Sequence, residues 1–134
     1  MDLIVRNACP VGVEADSPVD IEIAGDRIVR IAPEIAEKGE REIDAGGRLV
    51  GPPFIEPHIH LDKTQIADEI APNQSGTLVG GIEVIWERKR GYTVEDIVER
   101  AGRTLEMAVR NGTTRLRTHA DVDTIVGLRA VEGL

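Results

Sequence analysis

Two histidines separated by one residue, His58 and His60, constrain the fold of this chain more than any other feature. They end the apolar run Phe54-Ile55-Glu56-Pro57-His58-Ile59-His60-Leu61. If this run is a β-strand, successive side chains alternate faces, so the two imidazoles share one face with their Cα atoms roughly 6.5–7 Å apart. Two imidazoles at this spacing can bind one metal ion at the ~2.0–2.1 Å typical of Zn–N bonds. The pattern predicts a metal-chelating pair at the end of a buried strand, with Ile59 and Leu61 on the opposite, apolar face.

The composition excludes several classes of protein. A net charge of −8 without a clustered basic run is unfavourable for binding nucleic acid. Cys9 is the only cysteine, so an internal disulfide is excluded and a reducing compartment is favoured. No apolar run approaches the ~20 residues of a membrane-spanning helix, and the residues from Met1 to Arg6 lack the pattern of a signal peptide. The composition therefore predicts a cytoplasmic protein without a nucleic acid or membrane partner.

The first fifty residues have the pattern of several short strands. Residues 2–8 are rich in branched side chains, and residues 19–23 and 28–31 flank a turn that contains glycine, which predicts a hairpin. Residues 41–44 and 48–50 flank Ala45-Gly46-Gly47 and predict a second hairpin. We therefore expect residues 1–52 to form a small antiparallel β-sheet domain, or half-sandwich.

The periodicity changes after the histidine pair. Residues 79–90 predict a helix, and Thr93 is a suitable N-cap for a second helix that ends at Asn111-Gly112. A strand over 113–119 and a helix over 124–131 follow. The order β, helical connection, β, helix is that of a parallel α/β sheet, so residues 53–134 predict a second domain. The second helix has a predicted apolar stripe of Ile97, Ala101, Leu105, Ala108 and Val109. A solvated basic face is predicted for Arg100, Arg103, Arg110, Arg115 and Arg117.

Four segments, in order, resemble the amidohydrolase superfamily, and within it the cytosine deaminase-like group most closely. The segment Pro52–Asp62 resembles the first barrel strand of the family. The segments Asn73–Leu78, Trp86–Lys89 and Arg117–Val122 follow at about the family's spacing. A lone pair of histidines is weak support, but four collinear segments make the resemblance specific. It extends over nearly the whole chain and is weakest over the first forty residues.

The resemblance implies an α/β fold, in which the small β-sheet domain precedes a distorted (β/α)₈ barrel. Such a barrel needs about 250 residues, and only about 80 follow residue 54. We therefore expect the first two βα units of a truncated barrel. The later metal-binding histidine of the family, and its catalytic glutamate, histidine and aspartate, come from strands five, six and eight. The resemblance thus implies no catalytic residue in this chain.

The resemblance also assigns roles to individual residues. His58 and His60 would be the first-strand ligands of a divalent metal, Fe²⁺ or Zn²⁺, in a site that is incomplete within this chain. Asp62 would orient a ligand histidine, with capping of the following loop as an equal alternative. Leu78 would line the pyrimidine pocket, with packing at a helix start as its alternative. His119 would lie near the metal site without binding the metal itself, although a purely structural histidine is the favoured interpretation.

The function implied is metal-dependent hydrolysis of carbon–nitrogen bonds outside peptides. The substrate would be a small nitrogen heterocycle, a pyrimidine-like or triazine-like ring that releases ammonia. As 134 residues the chain is expected to be inactive alone. Two alternatives stay open: a non-catalytic truncated product, and one half of a split enzyme whose partner chain carries strands three to eight. Homo-oligomerisation of the full-length form is also left open.

Overall fold

The structure is a computed structural model that describes residues 2–14 and 17–134. The chain divides into two compact units, Met1–Pro52 and Pro53–Leu134, which are described separately below. Among the described helices, none combines the length and the apolar character that crossing a bilayer requires.

The first unit is a five-stranded sheet. Its strands are β1 (Leu3–Pro10), β2 (Val19–Ala24), β3 (Arg27–Ala32), β4 (Arg41–Asp44) and β5 (Leu49–Val50). β1 pairs with β2 antiparallel, and β2 pairs with β3 antiparallel, which confirms the first predicted hairpin. Gly25 lies in the turn of this hairpin at φ 57°, a conformation that glycine adopts without strain. The buried core of the sheet includes Ala8, Ile21 and Ala45.

The second predicted hairpin is wrong. β4 and β5 both pair parallel with β1, one after the other along the same strand, and not with each other. Between them Gly46 and Gly47 have φ of 58° and 76°, and the Gly47 N–H donates to the carbonyl of Asn7 at 2.8 Å. The two glycines let the chain bulge away from β1 and rejoin it, where a reversal was expected. The sheet is therefore mixed, and its expected purely antiparallel character is corrected.

The second unit is built on two parallel strands, β6 (Phe54–Ile59) and β7 (Thr113–Thr118). The connection between them contains a 3₁₀ turn (Leu61–Lys63), α1 (Leu78–Lys89) and α2 (Val94–Arg110), and a short α3 (Arg129–Glu132) follows β7. The predicted order of strand, helical connection and parallel strand is confirmed. The hydroxyl of Thr93 accepts the Asp96 N–H at 3.1 Å, so the predicted N-cap of α2 is also confirmed.

Two details of the helices differ from the sequence prediction. In α2, Ile97 and Ala101 are buried as predicted, whereas Leu105 and Val109 are exposed. The last helix spans only four residues, because residues 124–128 form turns in which the Asp123 carboxylate accepts the N–H groups of Ile125 and Val126, each at 2.8 Å. An aspartate that satisfies these N–H groups competes with helical hydrogen bonding.

Arg100 is a further correction, because it is buried where a solvated face was predicted. Its guanidinium donates to the carbonyls of Asp62 and Thr64, both at 2.9 Å, and to the carboxylate of Asp96 at 2.8 Å. It also lies over the ring of Tyr92, 4.5 Å from the centroid. Arg100 thus ties α2 to the segment that follows the histidine pair.

Candidate metal centre

The chain's three histidines meet where the parallel strands end. His58 lies in β6, His60 directly follows β6, and His119 directly follows β7. The His119 N–H donates to the carbonyl of Ile59 at 2.8 Å, which fixes the two strand ends side by side. Carboxyl ends of neighbouring parallel strands lie at one edge of a sheet, where barrel enzymes carry their active sites.

The three imidazole rings lie close together. The ring centroids are 5.5 Å apart for His58 and His60, 4.3 Å for His58 and His119, and 5.4 Å for His60 and His119. β6 ends one residue before His60, which adopts φ −113° and ψ 86°. The strand is thus shorter than predicted, yet the two predicted ligands still bring their rings together.

The carboxylates of Asp62 and Asp121 lie close to the Nδ1 atom of His60. Asp62 is 0% exposed, and its Oδ2 accepts the backbone N–H of Asp121 at 3.1 Å. The Nδ1 atom of His60 lies 3.3 Å from Oδ1 of Asp121 and 3.8 Å from Oδ1 of Asp62. Within the described residues, His60, Asp62 and Asp121 each offer one ligand atom, and these atoms lie within 4.8 Å of one another. Asp121 is therefore the nearer of the two carboxylates to the imidazole.

Two lysines hold the other oxygen of Asp121. The Lys89 ammonium, on the last turn of α1, is 3% exposed and lies 2.5 Å from Oδ2 of Asp121 and 2.8 Å from Oδ2 of Asp123. The Lys63 ammonium lies 2.7 Å from the same Oδ2 of Asp121. Charge-assisted hydrogen bonds of this length are the strong ones in proteins. Asp121 therefore has one oxygen fixed by two cations and one oxygen turned to His60.

The local electrostatics favour ionised acids and a neutral imidazole. Burial alone would raise the pKa of Asp121, but hydrogen bonds from Lys63 and Lys89 outweigh it and hold the pKa below its ordinary value. The Lys89 hydrogen bond and the Val126 N–H lower the pKa of Asp123 to about 2. Burial lowers the pKa of His60, and the charge of Lys63 acts in the same direction. A neutral imidazole keeps the lone pair that a metal ligand requires.

The donor set fits a divalent metal. Four buried side-chain polar atoms in the described part of the chain lack a hydrogen bond, and two of them, His60 Nδ1 and Asp62 Oδ1, belong to this cluster. Buried polar atoms are otherwise nearly always paired. Imidazole nitrogen and carboxylate oxygen are ligands that both zinc and iron accept.

The other predicted site residue lies apart from this cluster. Leu78 is the first residue of α1, and its side chain is 81% exposed. A cavity of about 440 Å³ lies next to Asp121, and Leu78 is not among its lining residues. That cavity is lined by Lys63, Ile82, Ile85, Trp86, Lys89, Ala120, Asp121, Val122 and Asp123. A pocket role for Leu78 stays a prediction.

The sequence interpretation gave no role to Asp121, Asp123, Lys63 or Lys89, although it singled out the segments that contain Lys89 and Asp121. A signal for Asp121 was present, because it follows His119 by two residues at the end of a strand parallel to β6. Lys89 carried no such signal. Its burial depends on carboxylates more than 30 residues later in the chain.

The model of the amidohydrolase family matches residues 41–134. The N-isopropylammelide isopropyl amidohydrolase of Pseudomonas sp. (strain ADP) is 37% identical over an alignment of 137 positions, which covers 99% of this chain and 34% of that protein. The solved 5-methylcytosine deaminase from Klebsiella pneumoniae, liganded with 5-fluorocytosine, has a TM-score of 0.80 at 39% identity. That likeness covers 97% of this chain and 31% of the deaminase.

A second solved structure gives a similar result. The N-isopropylammelide isopropylaminohydrolase from Burkholderia multivorans ATCC 17616 has a TM-score of 0.73 at 32% identity, over 99% of this chain and 33% of that one. The chain spans about a third of the length of the relatives it matches.

Proposed function

The chain belongs to the amidohydrolase family, and we propose that it supplies the N-terminal, metal-binding part of an enzyme that hydrolyses carbon–nitrogen bonds outside peptides. The observation that carries the proposal is the convergence of three imidazoles and two carboxylates at the carboxyl ends of two parallel strands. The family is metal-dependent, and the cluster has the ligand chemistry for a metal ion.

In this proposal His58 and His60 hold the metal, which is Fe²⁺ or Zn²⁺. A divalent metal supplies Lewis acidity, which makes a water molecule acidic enough to act as a nucleophile near neutral pH. His58 and His60 would hold it through their ring nitrogens, and the carboxylates of Asp62 and Asp121, on the Nδ1 side of His60, would compensate the positive charge. His119, whose ring is 4.3 Å from that of His58, closes one side of the cluster.

We propose a small nitrogen heterocycle as the substrate, a cytosine-like or triazine-like ring whose amino nitrogen leaves as ammonia. The relative named a 5-methylcytosine deaminase supports the cytosine-like ring and the release of ammonia. The relatives named for N-isopropylammelide support the triazine-like ring. The acidic composition and the single cysteine support a cytoplasmic enzyme that binds neither nucleic acid nor membrane.

The second unit is proposed to be the first two βα units of a (β/α)₈ barrel, and turnover then requires further strands. Side chains left exposed on β6 and α1, among them Phe54 and Leu78, support this proposal, because covering strands and helices would bury them. The further strands belong either to the same polypeptide or to a separate chain. The 134-residue chain alone is proposed to bind metal without turnover.

A chimera tests the function directly. Residues 1–134 replace the aligned part of the Klebsiella 5-methylcytosine deaminase, and ammonia release from 5-methylcytosine and cytosine is measured with Fe²⁺ and with Zn²⁺. We expect turnover by the chimera, none by the 134-residue chain, and none by a chimera with His58→Gln and His60→Gln. A matched chimera with Asp68→Asn, which changes an exposed carboxylate in the same unit, should keep its activity. A folded chimera that binds no metal would refute the proposed function.

A further inference from the structure

We infer that Asp121, clamped by Lys63 and Lys89, is a positioning residue that accepts a hydrogen bond from Nδ1–H of His60 and so leaves Nε2 as the atom that faces a ligand. The inference deepens the proposed function and rests on it for the identity of that ligand, a divalent metal ion. The inference makes a definite prediction for the tautomer of the His60 imidazole, which can be measured without any metal.

The geometry around Asp121 favours this role. Of the carboxylate's two oxygens, Oδ2 receives both ammonium groups, at 2.5 and 2.7 Å, and Oδ1 lies 3.3 Å from Nδ1 of His60. This last pair is within hydrogen-bond distance but is not aligned as a hydrogen bond in the structure, so the inferred bond requires the His60 ring to reorient. The backbone N–H of Asp121 is held by Asp62 at 3.1 Å, so the residue is fixed from both the main chain and the side chain. An ionised carboxylate can only accept hydrogen bonds, so a proton shared with His60 must come from the ring.

A fixed proton on Nδ1 determines which nitrogen is free. A neutral imidazole carries its proton on one nitrogen and a lone pair on the other. With Nδ1 protonated and facing Asp121, the lone pair is on Nε2. Ligand histidines in metalloproteins commonly have such a carboxylate behind them, which sets both the tautomer and the ring orientation.

Direct binding of a cation between His60, Asp62 and Asp121 is the rival interpretation of the same cluster. The two lysines argue against it. A divalent ion on Asp121 would lie close to two ammonium groups that already contact this carboxylate, and like charges at such distances repel strongly in a partly buried site. Lys89 is almost fully buried, so solvent screens this repulsion little.

The Asp121→Asn variant separates the two interpretations. The amide oxygen must face the two ammonium groups, because an NH₂ group there would set donors against donors. The NH₂ group then faces His60 and can donate only to an unprotonated Nδ1, so the ring is forced into the other tautomer. The same substitution is expected to weaken binding of Zn²⁺ about 10- to 100-fold.

The experiment is long-range ¹H–¹⁵N NMR of the metal-free 134-residue chain at a pH where His60 is neutral, with its signals assigned from His60→Gln. We expect Nδ1–H in the wild type and in Asp62→Asn, and Nε2–H in Asp121→Asn. Asp68→Asn, an exposed charge change in the same unit, should leave the tautomer and the Zn²⁺ affinity unchanged. Nε2–H in the wild type, or an unchanged tautomer in a folded Asp121→Asn chain, would overturn the inference.

The wild-type tautomer requires no substitution, so the test remains decisive even if Asp121→Asn does not fold. Titration with Zn²⁺ separates the positioning role of Asp121 from the proposed metal-binding function. A tautomer switch in a chain that binds no metal would refute the proposed function and keep the positioning role. Metal binding without a switch would refute the positioning role and keep the proposed function.

Discussion

Each of the two units contains a network of charged side chains, and the two networks differ in how completely their atoms are paired. In the first unit Asp20 is 7% exposed and accepts from Arg6 at 2.7 Å and from the N–H groups of Asn7 and Ile35, both at 3.1 Å. The Arg6 guanidinium also donates to Glu42 at 2.8 Å. None of these side-chain atoms lacks a partner among the described residues.

The network of the second unit is incomplete by the same measure. Lys63, Lys89 and Asp121 are paired, but Nδ1 of His60 and Oδ1 of Asp62 are buried without a hydrogen bond. A fully satisfied buried network stabilises one conformation, whereas an unsatisfied polar atom costs free energy. We therefore expect the fully paired network of the first unit to stabilise its fold, and the incompletely paired network of the second unit to serve a bound ligand.

The largest effect is expected for Asp20→Ala. The substitution leaves the Arg6 guanidinium and two backbone N–H groups without their acceptor, and we expect the first unit to lose about 3 kcal/mol of unfolding free energy. Amide hydrogen exchange of β1 and β2 in increasing urea measures it. Asp26→Ala, an exposed carboxylate of the adjacent hairpin turn, is the control and should change stability little. A small loss of unfolding free energy for Asp20→Ala would show that this network does not stabilise the first unit.

A smaller loss, about 2 kcal/mol, is expected for Lys89→Gln. The substitution removes a buried ammonium from Asp121 and Asp123, while the amide can still donate to one of them. Trp86, the only tryptophan, lies in the second unit, so its fluorescence during urea unfolding reports this unit alone. Arg103→Gln, which removes an exposed cation from the same unit, serves as the control. An unchanged urea midpoint for Lys89→Gln would show that the contacts of Lys89 with Asp121 and Asp123 contribute no stability.

For Asp62→Ala, burial alone predicts a larger loss of stability than for Asp20→Ala, whereas we expect a smaller one. Asp62 is 0% exposed and Asp20 is 7% exposed, yet one oxygen of Asp62 has no partner. The substitution removes the hydrogen bond from the Asp121 N–H, but it also removes the buried oxygen that lacks a partner. Because these effects oppose each other, we expect the unfolding free energy of the second unit to change by no more than about 1 kcal/mol. Trp86 fluorescence again gives the measurement. A loss as large as that of Asp20→Ala would mean that Asp62 is structural.

The smallest expected effect is a difference in pH dependence. Burial depresses the pKa of His60 when the chain is folded, so the unfolded chain binds more protons and stability of the second unit falls as pH drops below the ordinary value of 6.5. Burial would raise the pKa of Asp20, but its hydrogen bonds with Arg6 and two N–H groups lower it. Its stabilisation is therefore present above the ordinary value of 3.8 and lost below it.

Unit-specific unfolding of the metal-free chain from pH 7 to pH 3 checks this difference. One fully titrating group changes the unfolding free energy by about 1.4 kcal/mol per pH unit, and the slope due to His60 should be smaller than this. It should disappear in His60→Gln while the acidic slope of the first unit remains. A slope near pH 6 that survives His60→Gln would assign it to another group.

Local signals allowed the sequence to predict much of this fold. The β2–β3 hairpin, the Thr93 cap of α2, the parallel strand order and the approach of His58 and His60 follow from alternation, capping and turn residues. Each of these depends on residues close together in the chain, or on a repeat of two residues along one strand.

The features that the sequence did not predict depend on distant partners. β4 and β5 have the pattern of a hairpin, but β1 offers its free edge more than 30 residues earlier. Arg100 is buried because carbonyls near residues 62 and 64 accept its hydrogen bonds. Asp121 gains its role from two lysines and a histidine in other elements. No local pattern specifies such contacts.

X-ray absorption spectroscopy of the zinc-loaded 134-residue chain shows whether His58 and His60 bind the metal, because it counts imidazole ligands. We expect one zinc ion per chain with at least two imidazole nitrogens at about 2.0–2.1 Å. This ion should be lost when His58 and His60 are replaced by glutamine and kept in Asp68→Asn. A chain that binds no zinc, or zinc bound by carboxylate oxygens alone, would contradict metal binding by these two histidines.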